Sequence, residues 1–68
     1  DDLVMKFISW LPTQYKAVLT LYHLEGMSYP EIGEATGMPE GTVKNYLFRA
    51  RALVKENVKK YLGKEEIL

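Results

Sequence analysis

Few side chains in this sequence could do covalent or metal chemistry, and none stands in the company that such chemistry needs. There is no cysteine, so a thiolate nucleophile, a disulfide and a cysteine-based zinc site are all excluded. His23 is the single histidine and has no cysteine companions, which argues against a metal centre. The carboxylates sit in caps and tails, and no hydroxyl nucleophile has an evident base beside it. The residues therefore read as those of a binding protein that needs no cofactor and no metal, not as those of an enzyme.

What the chain does offer is a concentration of hydrogen-bond donors. Between Gly41 and Lys64 lie Lys44, Arg49, Arg51, Lys55, Lys59, Lys60 and Lys64, opposed only by Glu56. Upstream, Asp1, Asp2, Glu25, Glu31, Glu34 and Glu40 outweigh Lys6 and Lys16, and Glu65 and Glu66 follow the basic stretch. The formal net charge is +0, which argues against a simple polycation and implies weak intrinsic affinity for nucleic acid, yet the charge is polarised along the chain. A lysine-rich helix is equally often a solvated face, so charge alone leaves both readings open.

These donors must be positioned by a small scaffold. A chain of 68 residues, 47% hydrophobic and 26% charged, has the composition of an ordinary globular protein and room for one modest core. Apolar residues recur at three- and four-residue spacing, which predicts helices and no strands. Leu3, Val4, Phe7, Ile8 and Leu11 form a first stripe that closes at Leu11-Pro12. A second helix starts near Thr13, presents Tyr15, Val18, Leu19 and Tyr22, and ends where Gly26 can turn left-handed. Ser28 and Glu31 have capping-box spacing and open a third helix, with Pro30 tolerated in its first turn.

The third helix is short, with Ile32 and Ala35 expected inward, and stops at Thr36-Gly37-Met38-Pro39. A fourth restarts near Glu40 and carries Val43, Leu47, Ala50, Val54 and Val58 on one stripe to about Leu62, a rod on the order of 35 Å. The expected fold is thus all-α, a small four-helix domain containing a helix-turn-helix with a long C-terminal recognition helix. That plan places its second helix in a DNA major groove, although many helical hairpins share the outline without touching DNA.

Particular residues go further than the outline. Leu11-Pro12, Tyr15-Lys16-Ala17-Val18-Leu19, Gly26-Met27-Ser28-Tyr29-Pro30-Glu31-Ile32-Gly33, and Gly41-Thr42-Val43-Lys44 followed by Arg49-Ala50-Arg51 together resemble the C-terminal promoter-recognition region (sigma region 4, type 2) of extracytoplasmic-function, or ECF, sigma factors. The resemblance covers nearly the whole chain. It implies sequence-specific recognition of the minus-thirty-five promoter element within a bacterial RNA polymerase holoenzyme. The implied partners are double-stranded promoter DNA, the beta flap of the polymerase core and an anti-sigma factor, and the implied location is the bacterial cytoplasm. Because the first residue is Asp1 and not Met, residues 1–68 are expected to be one such domain from a longer protein.

Physical chemistry assigns roles within that motif. Lys44 can donate to guanine acceptors and Asn45 can pair bidentately with adenine, which makes them the expected base readers. Arg49, one turn beyond Asn45, can reach a base or a phosphate. Gly41 and Thr42 suit a close backbone approach, with the Thr42 hydroxyl and the free N–H groups of the helix start aimed at a phosphate. Tyr46 and Arg51 are expected on the flanking DNA backbone, and Ser28 and Tyr29 where a phosphate rests at the supporting helix. For Ser28 and Glu31, capping is the preferred reading over DNA contact. Trp10 and Tyr15 are expected to seal the core, and Phe48 either meets a protein partner or packs on the first helix.

The sequence also departs from the family pattern. Tyr46 stands where arginine is frequent, Asn45 where serine is common, and Gly33 where alanine is usual, as if the two motif helices approached closely there. Glu40 suits the helix dipole but repels phosphate and should face away from DNA. Two other readings stay open: an interaction module that binds the beta flap or an anti-sigma factor, and the helix-turn-helix effector domain of another transcription regulator.

Overall fold

A computed structural model describes residues 2–67, with side chains described for residues 3–63. Four helices follow one another: α1 (Asp2–Ser9), α2 (Thr13–His23), α3 (Tyr29–Thr36) and α4 (Glu40–Ile67). The side chains of Asp1, Asp2, Lys64, Glu65 and Glu66, which contribute to the expected charge polarity, lie outside the described residues. The core draws on every helix. Phe7, Ile8 and Leu11 from α1 and its exit, Val18 and Leu19 from α2, Ile32 from α3, and Val43, Leu47 and Ala50 from α4 are all buried, and no charged or polar side chain is buried among the described residues.

Local chemistry sets the helix ends. Pro12 N-caps α2 without a side-chain hydrogen bond, and its carbonyl accepts from the Lys16 N–H at 2.9 Å. After α2, Gly26 turns left-handed with φ 68°, and the Met27 N–H reaches back to the Leu21 carbonyl at 3.1 Å. The capping box then forms in full: the Ser28 N–H donates to Glu31 Oε1 at 2.7 Å, and the Glu31 N–H donates to Ser28 Oγ at 3.2 Å. Such a cap is worth about 1 kcal/mol. At the other end of α3, Gly37 is left-handed at φ 77° and its N–H donates to the Gly33 carbonyl.

Four expectations need correction. Ala35 is exposed, because the inward stripe of α3 is Tyr29, Ile32, Gly33 and Thr36, a 3.6-residue period whose centre lies well round the helix from Ala35. Trp10 is 55% exposed: the neighbouring Leu11 takes the buried position in the α1–α2 turn, and Trp10 lies edge-on to Phe7 with centroids 5.4 Å apart. Leu3 and Val4 remain 43% and 50% exposed, so α1 buries only the C-terminal part of its stripe. Finally, α4 runs past Leu62 to Ile67. Gly63 keeps a negative φ there and costs the helix about 1 kcal/mol relative to alanine without ending it.

Tyr15 is half-buried against the core. Gly33 has a definite reason to lack a side chain, since a Cβ there would stand 2.9 Å from the Met38 carbonyl oxygen. The close approach is to the turn itself more than to the facing helix.

Candidate nucleic-acid interface

The α3–α4 turn is tied by a residue that sequence reading passed over. Thr36 Oγ donates to the Ile32 carbonyl at 2.7 Å and accepts from the Met38 N–H at 3.3 Å. With left-handed Gly37 between them, these bonds fix the path from the end of α3 to Pro39. The Pro39 carbonyl accepts from the Val43 N–H at 3.1 Å, so Pro39 is the N-cap of α4. Proline brings no side-chain oxygen, and the N–H groups of Glu40, Gly41 and Thr42 have no carbonyl within the helix to meet.

Burial of Val43, Leu47 and Ala50, each at 0% exposure, fixes the rotation of α4. At 100° per residue the opposite side carries Gly41, Lys44, Asn45, Phe48, Arg49 and Ala52, and all six are exposed. Three of the expected DNA contacts, Lys44, Asn45 and Arg49, therefore share one surface. Phe48 lies at its centre, four residues from Lys44 and three from Asn45, 75% exposed. It does not pack on α1. Its outward place follows from burying Val43 and Leu47.

The other expected contacts are more dispersed. Ser28 is exposed beside Tyr29 at the start of α3, and its hydroxyl oxygen already serves the capping box. Hydrogen bonds from the Ser28 backbone first, then from its side chain, hold the Glu31 carboxyl below the usual glutamate value. Thr42 is half-buried in the first turn of α4. Tyr46 is half-buried too, its ring 5.1 Å from that of Tyr15, on the flank away from Lys44. Arg51 turns toward α2, its guanidinium carbon 5.2 Å from the centre of the Tyr22 ring.

A separate apolar cleft of about 350 Å³ opens between α1, α2 and α4. Val4, Ile8, Leu19, Leu24 and Val54 line it, with His23 and Arg51 also in its wall.

A short capped helix, a glycine turn and a long helix whose outer face is exposed over its first three turns define a helix-turn-helix domain. Residues 1–54 match the family model described as sigma-70, region 4, and the chain belongs to that family. It is similar to the ECF RNA polymerase sigma-E factor of Haemophilus influenzae, 39% identical over 58 residues, which are 85% of this chain and 31% of the relative. The proteins of the same description from Salmonella typhimurium (strain LT2) and Escherichia coli (strain K12) are each 37% identical over 57 residues, 84% of this chain and 30% of theirs. The chain thus spans about a third of the length of the curated relatives it matches.

Proposed function

We propose that this chain reads the minus-thirty-five promoter element for a bacterial RNA polymerase sigma factor in the cytoplasm, laying the N-terminal half of α4 in the major groove and catalysing no reaction. The observation that carries this reading is the outer face of α4. Lys44, Asn45, Phe48 and Arg49 are exposed together, directly opposite a stripe buried to completion, in a chain of the sigma-70 region 4 family. Lys44 and Asn45 supply donors and an acceptor for purine edges, and Arg49 adds a guanidinium for guanine or phosphate. Phe48 gives the surface an apolar centre suited to a thymine methyl group.

Phosphates flank this contact. Gly41 and Thr42, with the unpaired N–H groups of the α4 start, face one strand, and Ser28 and Tyr29 stand at the start of α3. Tyr46 and Arg51 lie on the flanks, where they meet the sugar-phosphate backbone at the edge of the footprint. Since the net charge is zero, affinity is modest and falls steeply with salt.

The test is selection of duplexes from a randomised pool by the chain, followed by affinity measurements on the selected and a scrambled duplex at two salt concentrations. A recurrent selected sequence, with Lys44→Ala and Asn45→Ala each relaxing one base position by about 1–3 kcal/mol, supports the reading. Equal losses on every sequence refute the assignment of readers.

A second reading is favoured by the cleft between α1, α2 and α4. Its apolar lining, in which Val4 and Leu24 are 49–50% exposed, suits an amphipathic segment of a protein partner. The polymerase beta flap and an anti-sigma factor are the partners that this reading assigns to it. Loss of flap binding on Leu24→Asp with DNA binding retained would place that partner in the cleft. Membership of the sigma-70 region 4 family removes the reading as an effector domain of an unrelated regulator.

A further inference from the structure

Two tyrosines from different helices pack ring against ring, and each also meets a cation of α4. Tyr22 of α2 and Tyr29 of α3 have ring centroids 5.6 Å apart at an interplanar angle of 34°. Lys44 Nζ lies 5.9 Å from the centre of the Tyr29 ring, and the Arg51 guanidinium carbon 5.2 Å from that of Tyr22. Lys44 and Arg51 are seven residues apart, two turns on one flank of α4, so a third helix supplies both cations. Among the described residues neither cation meets a carboxylate at ion-pairing distance; the ring face is the contact that each one has. Both tyrosines are half-buried and packed on the core, which leaves the rings little freedom.

We infer that Tyr29 is a positioning residue for base reading, its ring face holding the Lys44 ammonium in place at the edge of the major-groove surface while Tyr22 packs against the ring and restrains it. The inference rests on the reading of α4 as the recognition helix. A lysine side chain has four rotatable bonds and a compact, strongly hydrated charge, so an unsupported Lys44 would meet a phosphate as readily as a base. Attraction to the negative ring face narrows that choice before DNA arrives, and a group placed beforehand loses less freedom on binding. A tyrosine that merely sealed the core would need only its bulk. A tyrosine that merely bound phosphate would need only its hydroxyl.

The three roles separate in one experiment. The chain and its Tyr29→Phe, Tyr29→Leu, Lys44→Met and Tyr29→Leu/Lys44→Met variants are titrated with the selected duplex and with one altered at the base that Lys44 reads, after thermal melts establish that each is folded. Tyr29→Phe is expected to weaken both duplexes alike and to keep their affinity ratio. Tyr29→Leu is expected to lower the ratio about two- to fivefold, the scale of an exposed cation–π contact, and to lower it no further in the Lys44→Met background. In the free chain, NMR is expected to show the Lys44 Hε protons shifted upfield by the Tyr29 ring, and the shift lost in Tyr29→Leu. A ratio unchanged or raised by Tyr29→Leu, or an equal loss with and without Lys44, overturns the inference while leaving α4 as the reader. A parent chain that binds both duplexes equally overturns the promoter-reading function itself, and the inference with it.

Discussion

Phe48→Ala separates recognition from folding, because the side chain lies on the exposed face of α4. A phenylalanine side chain presents roughly 200 Å², and with Phe48 75% exposed only about 50 Å² of it is covered. At about 25 cal/mol per Å² that cover is worth at most about 1.2 kcal/mol, and the better helix propensity of alanine returns about 0.5 kcal/mol. The expected loss of stability is below about 1 kcal/mol, a Tm change of a few degrees. Binding is another matter. If a duplex covers half of the exposed ring surface, about 75 Å², the loss is about 2 kcal/mol, near 30-fold in affinity. Fluorescence anisotropy on the selected and scrambled duplexes, beside circular-dichroism melts, measures both quantities. Replacing each thymine by deoxyuridine removes only its methyl group; one position should weaken the parent chain and leave Phe48→Ala indifferent. Equal losses on both duplexes, or indifference of the parent to every deoxyuridine, would refute the placement of Phe48 against a thymine.

Three further outcomes follow from the geometry. Gly33→Ala gains about 1 kcal/mol of helix propensity but sets a Cβ 2.9 Å from the Met38 carbonyl oxygen. Overpacking of that kind typically costs about 1–3 kcal/mol, so calorimetry should show a lower Tm, and a rise of several degrees would contradict the close approach. Glu31 has its pKa depressed by the Ser28 hydrogen bonds, so its ionised form stabilises the fold above the ordinary glutamate range. That contribution is lost as pH falls through the depressed value. The stability difference between the parent and Glu31→Gln should accordingly shrink from pH about 6 to pH about 3; a difference that grows on acidification would reverse the sign. Lys55 and Lys59 stand ten and fourteen residues beyond Asn45, about 15 and 21 Å along the helix. Replacing either by alanine should lower affinity evenly across sequences and flatten the salt slope, and a changed base preference would extend the reading surface beyond Arg49.

Legibility in the sequence was greatest where one residue type decides the backbone. Pro12, the Ser28–Glu31 pair and Gly37 before Pro39 each mark a helix boundary for a stated reason, and α2, α3 and α4 begin where those residues place them. The outer face of α4 was equally legible, because burying Val43, Leu47 and Ala50 leaves Lys44, Asn45 and Arg49 nowhere else to point. Periodicity gives a face and not a neighbour, which is why Trp10 and Ala35 were expected inside. Whether an apolar side chain is covered depends on which helix crosses it, and α3 is too short for two apolar residues to define its inward side. The contacts of Lys44 with Tyr29 and of Arg51 with Tyr22 join three helices at long sequence separation, and no local pattern announces them. Thr36 was missed for the opposite reason: its hydrogen bonds are local, but a threonine before glycine is too common to single out.

The two helices of the motif are finished differently, and the difference sets a thermodynamic linkage. Helix α3 closes its own N-terminus with Ser28 and Glu31, whereas α4 begins on a proline and leaves three amides to water. In the proposed complex a phosphate oxygen supplies the missing acceptor, so DNA acts as the cap of the helix that reads it. Order in the first turn of α4 and affinity for the duplex then rise together, and the amides of Glu40, Gly41 and Thr42 should exchange with solvent more slowly in the complex. An acidic cap introduced at Pro39 would stabilise the free domain and at the same time occupy the place of its ligand. The unfinished helix start is in this sense a reserve of binding free energy, held open by a residue that cannot close it.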